Sequence, residues 1–166
     1  MIDVMVRRRT LAVFVVLPLV LACKTEAEPS SERASLRPTS LRFVPAPADG
    51  AVATLVQREA EKSKREGRTL LVYAGAVWCD PCRRFHEDAT RGELGTELDG
   101  ITLLEFDLDR DGERLRSAGY SSKYIPLFAR PAADGRSTGK QIEGSVKGDG
   151  AVREISPRLA GLVRSE

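Results

Sequence analysis

The chain is poor in the residues that build metal sites and disulfide frameworks. Its 166 residues include three cysteines, one histidine and two methionines. Both methionines, Met1 and Met5, stand at the extreme N-terminus, so no Met-rich segment supports copper traffic. Three cysteines cannot make the multi-bridge framework of a disulfide-stapled domain. A structural zinc site needs four ligands, and beyond one cysteine pair only His86 is an obvious further donor. Basic runs are missing from the body of the chain as well. The net charge of +2 arises in the first twenty-two residues, where Arg7, Arg8 and Arg9 outnumber Asp3, and the rest carries 23 basic and 23 acidic residues. Nucleic acid is therefore set aside as a partner. There are no internal repeats, and the apolar run over 11–22 is short for a membrane span and contains Pro18.

What is present begins with an address. The three arginines and the apolar run have the layout of a secretory signal over 1–22. The run closes Val20-Leu21-Ala22-Cys23, which resembles the bacterial lipoprotein lipobox, where a small residue precedes a cysteine that is lipidated and becomes the mature N-terminus. The resemblance implies a lipid on Cys23 and, since Lys24 follows it, the outer membrane in a Gram-negative cell. The alternative is a plain secretory signal with an incidental cysteine. Lipidation of Cys23 would leave one cysteine pair and nothing over, which suits an exported protein.

Residues 24–49 hold Pro29, Pro38, Pro45 and Pro47 among Ser, Glu, Thr and Ala, the composition of a disordered tether. About twenty such residues reach roughly 25 Å. Within it, 41–44 can form a short first strand. The folded domain is placed at 50–166, long enough to bury a core of its own. A helix is expected over about 51–66, capped by Asp49, with Val52, Leu55, Val56 and Ala60 at helical spacing and Gly67 as its stop. The nearly continuous apolar run 69–74 fits a central parallel strand covered on both faces. Further helices are expected from about 79 to 88 and 110 to 118, and a second parallel strand over 101–107. A hairpin of 125–130 and 138–144 should turn near Asp134-Gly135, and Ser156-Pro157 should open a last helix. The order β-α-β-α-β-β-α predicts an α/β fold, a mixed sheet sandwiched between helices.

Trp78-Cys79-Asp80-Pro81-Cys82 lies between the buried strand and the helix that follows it. At a helix N-terminus, free backbone N–H groups and the macrodipole stabilise a Cys79 thiolate. Cys82, three residues on, shares its face and can close a small ring with it. Cys79 can attack a substrate disulfide and Cys82 can resolve the mixed disulfide. His86 lies one further turn along the same helix.

The motif resembles the thioredoxin superfamily, over about residue 50 to the end. Ile125-Pro126 is similar to the family's cis-proline pair, which faces the disulfide and pairs with the substrate backbone. Phe106-Asp107-Leu108-Asp109 is similar to its strand ending, and Tyr120 and Gly144 match further positions. The likeness is greatest to periplasmic disulfide-reductase domains. It implies a thioredoxin-like three-layer α/β/α sandwich, with Trp78 as a flat docking surface beside the sulfur. It also implies a membrane-anchored enzyme that reduces protein disulfides in the cell envelope, as a monomer fed by an upstream electron donor. No bound cofactor or metal is implied; the redox-active group is the Cys79–Cys82 pair itself. The rival class is a metal-handling protein that passes Cu(I) between the two thiols, helped by His86.

The sequence departs from the family at Tyr73, where thioredoxin has a buried Asp, at Glu105 in place of Lys, and at Leu127 in place of Thr. The carboxylate has then moved to the neighbouring strand. In parallel register Tyr73 and Glu105 would lie side by side below the disulfide, with the phenol bonded to the carboxyl group. Glu105 would serve, through a water, as the base for Cys82. The alternative has Glu105 in solvent and His86 or bulk water taking the proton. Asp80 should disfavour the Cys79 thiolate, offset in part by Arg83 and Arg84, and so favour a reductant.

Overall fold

A computed structural model describes residues 40–165. Cys23, the signal over 1–22 and most of the expected tether lie outside the described residues. Nine regular elements follow in order: β1 (Arg42–Pro45), α1 (Val52–Arg65), β2 (Thr69–Gly75), α2 (Asp80–Arg91), β3 (Ile101–Asp107), α3 (Leu108–Ser117), β4 (Leu127–Pro131), β5 (Ser137–Glu143) and α4 (Ala151–Arg164). The strands form one mixed sheet ordered β1-β3-β2-β4-β5. β1, β3 and β2 run parallel, and β4 and β5 are antiparallel to their neighbours.

The sheet is central because β2 has no polar face. Leu70, Val72 and Ala74 point to one side, where α1 contributes Val52, Leu55 and Val56 and α3 contributes Leu115. Leu71 and Tyr73 point to the other, against Phe85 of α2 and Ile155 and Leu159 of α4. Alternation along a strand thus feeds two cores, and an unbroken apolar run is the sequence that satisfies both. This is the three-layer α/β/α sandwich with a mixed central sheet, the thioredoxin-like arrangement expected from the sequence.

Three local expectations are corrected. The short strand expected at 41–44 is β1, but it is part of the sheet: Arg42 pairs with Thr102 and Pro45 with Glu105. The fold therefore reaches back into the segment assigned to the tether. Residues behind β1 are held too, since Arg114 donates to the carbonyls of Pro47 and Gly50. Its own anchor is Asp111, fully buried between Arg114 and Arg110. Burial pushes the Asp111 carboxyl up, but hydrogen bonds from Arg110 and the Asp107 N–H, with the two guanidinium charges, hold it below its ordinary value.

Asp49 does not cap α1; Ala51 occupies that position without a side-chain bond. Nor does Ser156-Pro157 open the last helix. α4 begins six residues earlier at Ala151, out of a tight turn at Gly148–Gly150, and Pro157 lies inside it. An interior proline costs a helix about 3 kcal/mol. Burial of Ala151, Ile155, Leu159, Ala160 and Leu162 on one side outweighs this, at roughly 1.5–3 kcal/mol for each large side chain.

Candidate active site

β2 and α2 place the cysteines. The chain leaves the carboxyl end of β2 and turns, with the Cys79 N–H donating to the Ala76 carbonyl at 3.0 Å, and enters α2 with Cys79 as its N-cap. Pro81 sits in the first turn, where a missing N–H costs nothing. Cys79 and Cys82 form a disulfide, S–S 2.06 Å and Cα–Cα 5.2 Å. The Cys82 N–H donates to Cys79 Sγ at 3.2 Å. A helix N-terminus therefore aims one of its free donors at this sulfur, the place where a thiolate is best stabilised. Both residues are buried, at 4% and 3% exposure, in the α2–α4 core.

Around them the surface is apolar and open. Trp78 is 65% exposed, and its indole N–H donates to Asp109 Oδ2 at 2.9 Å, which fixes the ring from the N-terminal turn of α3. Pro126 stands immediately before β4, joined to Ile125 by a cis peptide bond, as its sequence context implied. Its carbonyl accepts the Gly144 N–H at 2.9 Å. Gly144 has φ +65°, which strains any other residue, and a Cβ there would also crowd Tyr124 Cβ at 3.0 Å. Ile125, Trp78 and Cys79 share a cleft of about 640 Å³, walled opposite by Tyr124, Val146 and Lys147.

A second cleft, about 450 Å³, opens on the other side of the disulfide and brings Cys82 together with Tyr73, His86, Glu105 and Arg110. Tyr73 and Glu105 are register partners, as expected. The expected phenol–carboxyl bond is not made. Glu105 Oε1 lies instead 2.7 Å from His86 Nε2. The imidazole is stacked on Phe43 of β1, ring centroids 3.8 Å apart and 22° from parallel, with Tyr73 edge-on at 5.6 Å. Three adjacent strands therefore each supply one contact to His86. The phenol runs along its own strand over Gly75, where a Cβ would come within 2.6 Å of the hydroxyl oxygen. Burial, reinforced by the Glu105 charge, pushes the Tyr73 hydroxyl well above its ordinary range, so it stays protonated.

Asp80, between the cysteines, is deeply engaged. Its carboxylate accepts the Gly148 N–H at 2.9 Å and bonds to Arg84 and Arg83, while Arg84 also reaches Asp149 at 2.7 Å. The Gly148 N–H above all, with the two guanidiniums, holds its carboxyl below the ordinary value against partial burial. Its negative charge near Cys79 is matched by both arginines at contact distance, a closer balance than the sequence implied.

Phe43, Tyr124, Val146 and Gly148 were not singled out from the sequence. The 41–44 strand signal pointed to Phe43, but nothing local marks the other three. Among the described residues no three His, Cys, Asp or Glu side chains converge as a metal cage.

The strand order of this mixed sheet between its helices is thioredoxin-like, and the helix that follows the central strand carries the buried Cys79–Cys82 disulfide at its N-terminus. The chain is similar to solved thioredoxins. Fasciola hepatica thioredoxin is 19% identical over 75% of this chain and 99% of its own, with TM-score 0.44. A single-site mutant thioredoxin from Halobacterium salinarum is 17% identical over 78% and 92%, TM-score 0.44. Poplar thioredoxin h is 18% identical over 76% and 99%, TM-score 0.43. No protein-family model and no curated protein matches the sequence.

Proposed function

We propose that the protein is an extracytoplasmic, membrane-anchored thiol–disulfide oxidoreductase that reduces disulfides of other proteins in the cell envelope. The observation that carries this reading is the Cys79–Cys82 disulfide at the N-terminus of α2, with the Cys82 N–H on Cys79 Sγ. In the reduced enzyme the Cys79 thiolate attacks one sulfur of a substrate disulfide. That S–S bond breaks, a mixed disulfide forms, and the departing substrate thiolate takes a proton from water. Cys82 then loses its proton and attacks Cys79 Sγ. The mixed disulfide breaks, the second substrate thiol leaves, and the Cys79–Cys82 disulfide is restored. Two electrons pass to the substrate, and an upstream dithiol donor returns them.

Glu105 is the base in the second step. It shares the cleft with Cys82, and a water bridging carboxylate and thiol carries the proton. Trp78 and Ile125-Pro126 receive the substrate segment on the Cys79 side. Anchoring rests on Val20-Leu21-Ala22-Cys23, with the lipid on Cys23 and the outer membrane as destination in a Gram-negative cell.

Insulin reduction by the protein, recharged with dithiothreitol, tests the activity. Cys79→Ser should abolish turnover, and Cys82→Ser should stall with substrate covalently bound, read by mass. Full insulin reduction by Cys79→Ser would remove the assignment. The direction of electron flow is checked by the reduction potential of the pair: a value toward about −270 mV supports a reductase and one near −120 mV an oxidant. Metabolic labelling should place the lipid on Cys23, and Cys23→Ala should leave a soluble form.

A further inference from the structure

The carboxylates and the amines that line the cleft beside Cys79 differ in how far they are already committed. Three carboxylates belong to it, and each is engaged by the protein itself. Asp80 accepts from Gly148, Arg83 and Arg84. Glu143 accepts the Lys123 N–H at 2.7 Å. Glu154 pairs through one oxygen with Arg158, which also donates to the carbonyls of Gly144 and Glu143. Lys123 and Lys147 also line the cleft, and among the described residues neither has a carboxylate partner. Lys123 Nζ lies 5.2 Å above the Tyr124 ring, at the edge of an exposed aromatic face. The wall thus presents two uncommitted positive charges beside three exposed apolar groups, Trp78, Tyr124 and Val146.

Such a surface is complementary to one kind of segment. An apolar side chain removes water from the Trp78–Tyr124–Val146 faces. A carboxylate next to it meets the two ammonium groups, which outnumber the one carboxylate of the cleft, Glu143, that has no cationic partner. We infer that the cleft selects disulfides whose attacked cysteine is flanked by a bulky apolar residue and an acidic one, in an extended segment of the partner protein. This rests on the reductase reading and names its substrate class. A basic segment is disfavoured, because each like charge brought to the rim is unpaired. Rim charges act through encounter and modest pairing, each worth about threefold, so two lysines give about a tenfold preference that salt screens.

The test uses three peptides, each with one cysteine in disulfide linkage to 2-mercaptoethanol and a neighbouring leucine, differing only in Glu, Gln or Lys at the next position. At low ionic strength kcat/KM should fall in the order Glu, Gln, Lys, with about tenfold between the first and last. In 0.5 M salt, roughly four-tenths of the Debye length at 0.1 M, the spread should collapse toward one. Lys123→Gln combined with Lys147→Gln should collapse it at low salt. The salt series on the wild type stands independently of whether that variant folds. Equal kcat/KM for the three peptides at low salt, in a protein that still reduces insulin, overturns the selectivity and leaves the reductase. Failure to reduce insulin or any of the peptides overturns the reductase reading and the inference with it.

Discussion

The two sides of the disulfide are built differently. On the Cys79 side the cleft is larger and its rim is exposed: Trp78, Tyr124 and Val146 stand out from the surface. On the Cys82 side the cleft is smaller, and it gathers the titratable groups Tyr73, His86 and Glu105, with His86 stacked on Phe43. The two halves of the exchange reaction have the same asymmetry. The first attack needs a docked partner and a stabilised thiolate, which a helix N-terminus supplies without a base. The second needs no new partner but must take a proton from a buried thiol, whose pKa desolvation raises. On the proposed function, one side serves recognition and the other proton transfer.

The comparison breaks first, and most visibly, at Glu105. Glu105→Gln keeps the shape of the side chain and removes its basicity. A positioned base contributes about 10²–10⁴-fold, and access to water in an open cleft leaves the loss at the low end, about tenfold to a hundredfold. Stopped-flow mixing should find the resolution step slowed by that factor, with first attack by Cys79 nearly unchanged. An equal slowing of both steps would mean that the two sides are not separate. Equal resolution rates in variant and wild type from pH 6 to about 9 would remove Glu105 from the reaction.

His86 sharpens the same point with a smaller effect. It touches Glu105 rather than the cysteines, so it acts by positioning. His86→Asn should slow resolution about threefold to tenfold and leave insulin binding, read as KM, unchanged. Phe43→Leu, which keeps the core filled but removes the stacked ring, should give a similar slowing. In both, adding Glu105→Gln should bring little further loss, because the residues act as one unit. Additive losses would place His86 on an independent route.

These assignments were unequally legible. β2 and β3 could be placed almost residue by residue, because a buried parallel strand is mostly apolar, with Thr102 and Glu105 the polar residues inside β3, and Gly67 and Asp107 punctuate the ends. CxxC with Trp78 before it located the sulfurs for the same local reasons. β1 was harder: its four residues lie among prolines, and its place in the sheet depends on pairing with β3, sixty residues away. Missing that pairing hid Phe43, and with it the stacking that turns His86 toward Glu105. Tyr73 and Glu105 could be set side by side from register alone, but which of two neighbours a carboxylate chooses depends on a ring from a third strand. The start of α4 was misread because Ser-Pro is a strong local signal, and the packing of Ala151 and Ile155 that overrides it is tertiary.

The smallest expected effect lies at Asp80, which connects the two sides. Its carboxylate bridges the first turn of α2 to the Gly148 N–H, 68 residues on, and so holds the loop that carries Val146 and Lys147 against the cleft. Asp80→Asn can still accept the Gly148 N–H but carries no charge. Arg83 and Arg84 then keep only Glu87 and Asp149 as partners, so one negative charge is lost near Cys79, which favours its thiolate and makes the pair more oxidising. The group is at the surface, so solvent limits the change in first-attack rate to about twofold. Resolution by Cys82 should not change. The pH dependence has a definite sign. Because the folded state holds the Asp80 carboxyl below its ordinary value, its contribution is fully present above the ordinary carboxylate range and is lost as pH falls through the depressed value. KM for a peptide disulfide should therefore stay flat from neutral pH down to about 5 and rise only in stronger acid, below the ordinary Asp value of about 3.9. In Asp80→Asn that acid rise should be absent. A change in resolution rate as large as that in first attack would show that the cysteines respond to charge together, and would erase the division between the two sides.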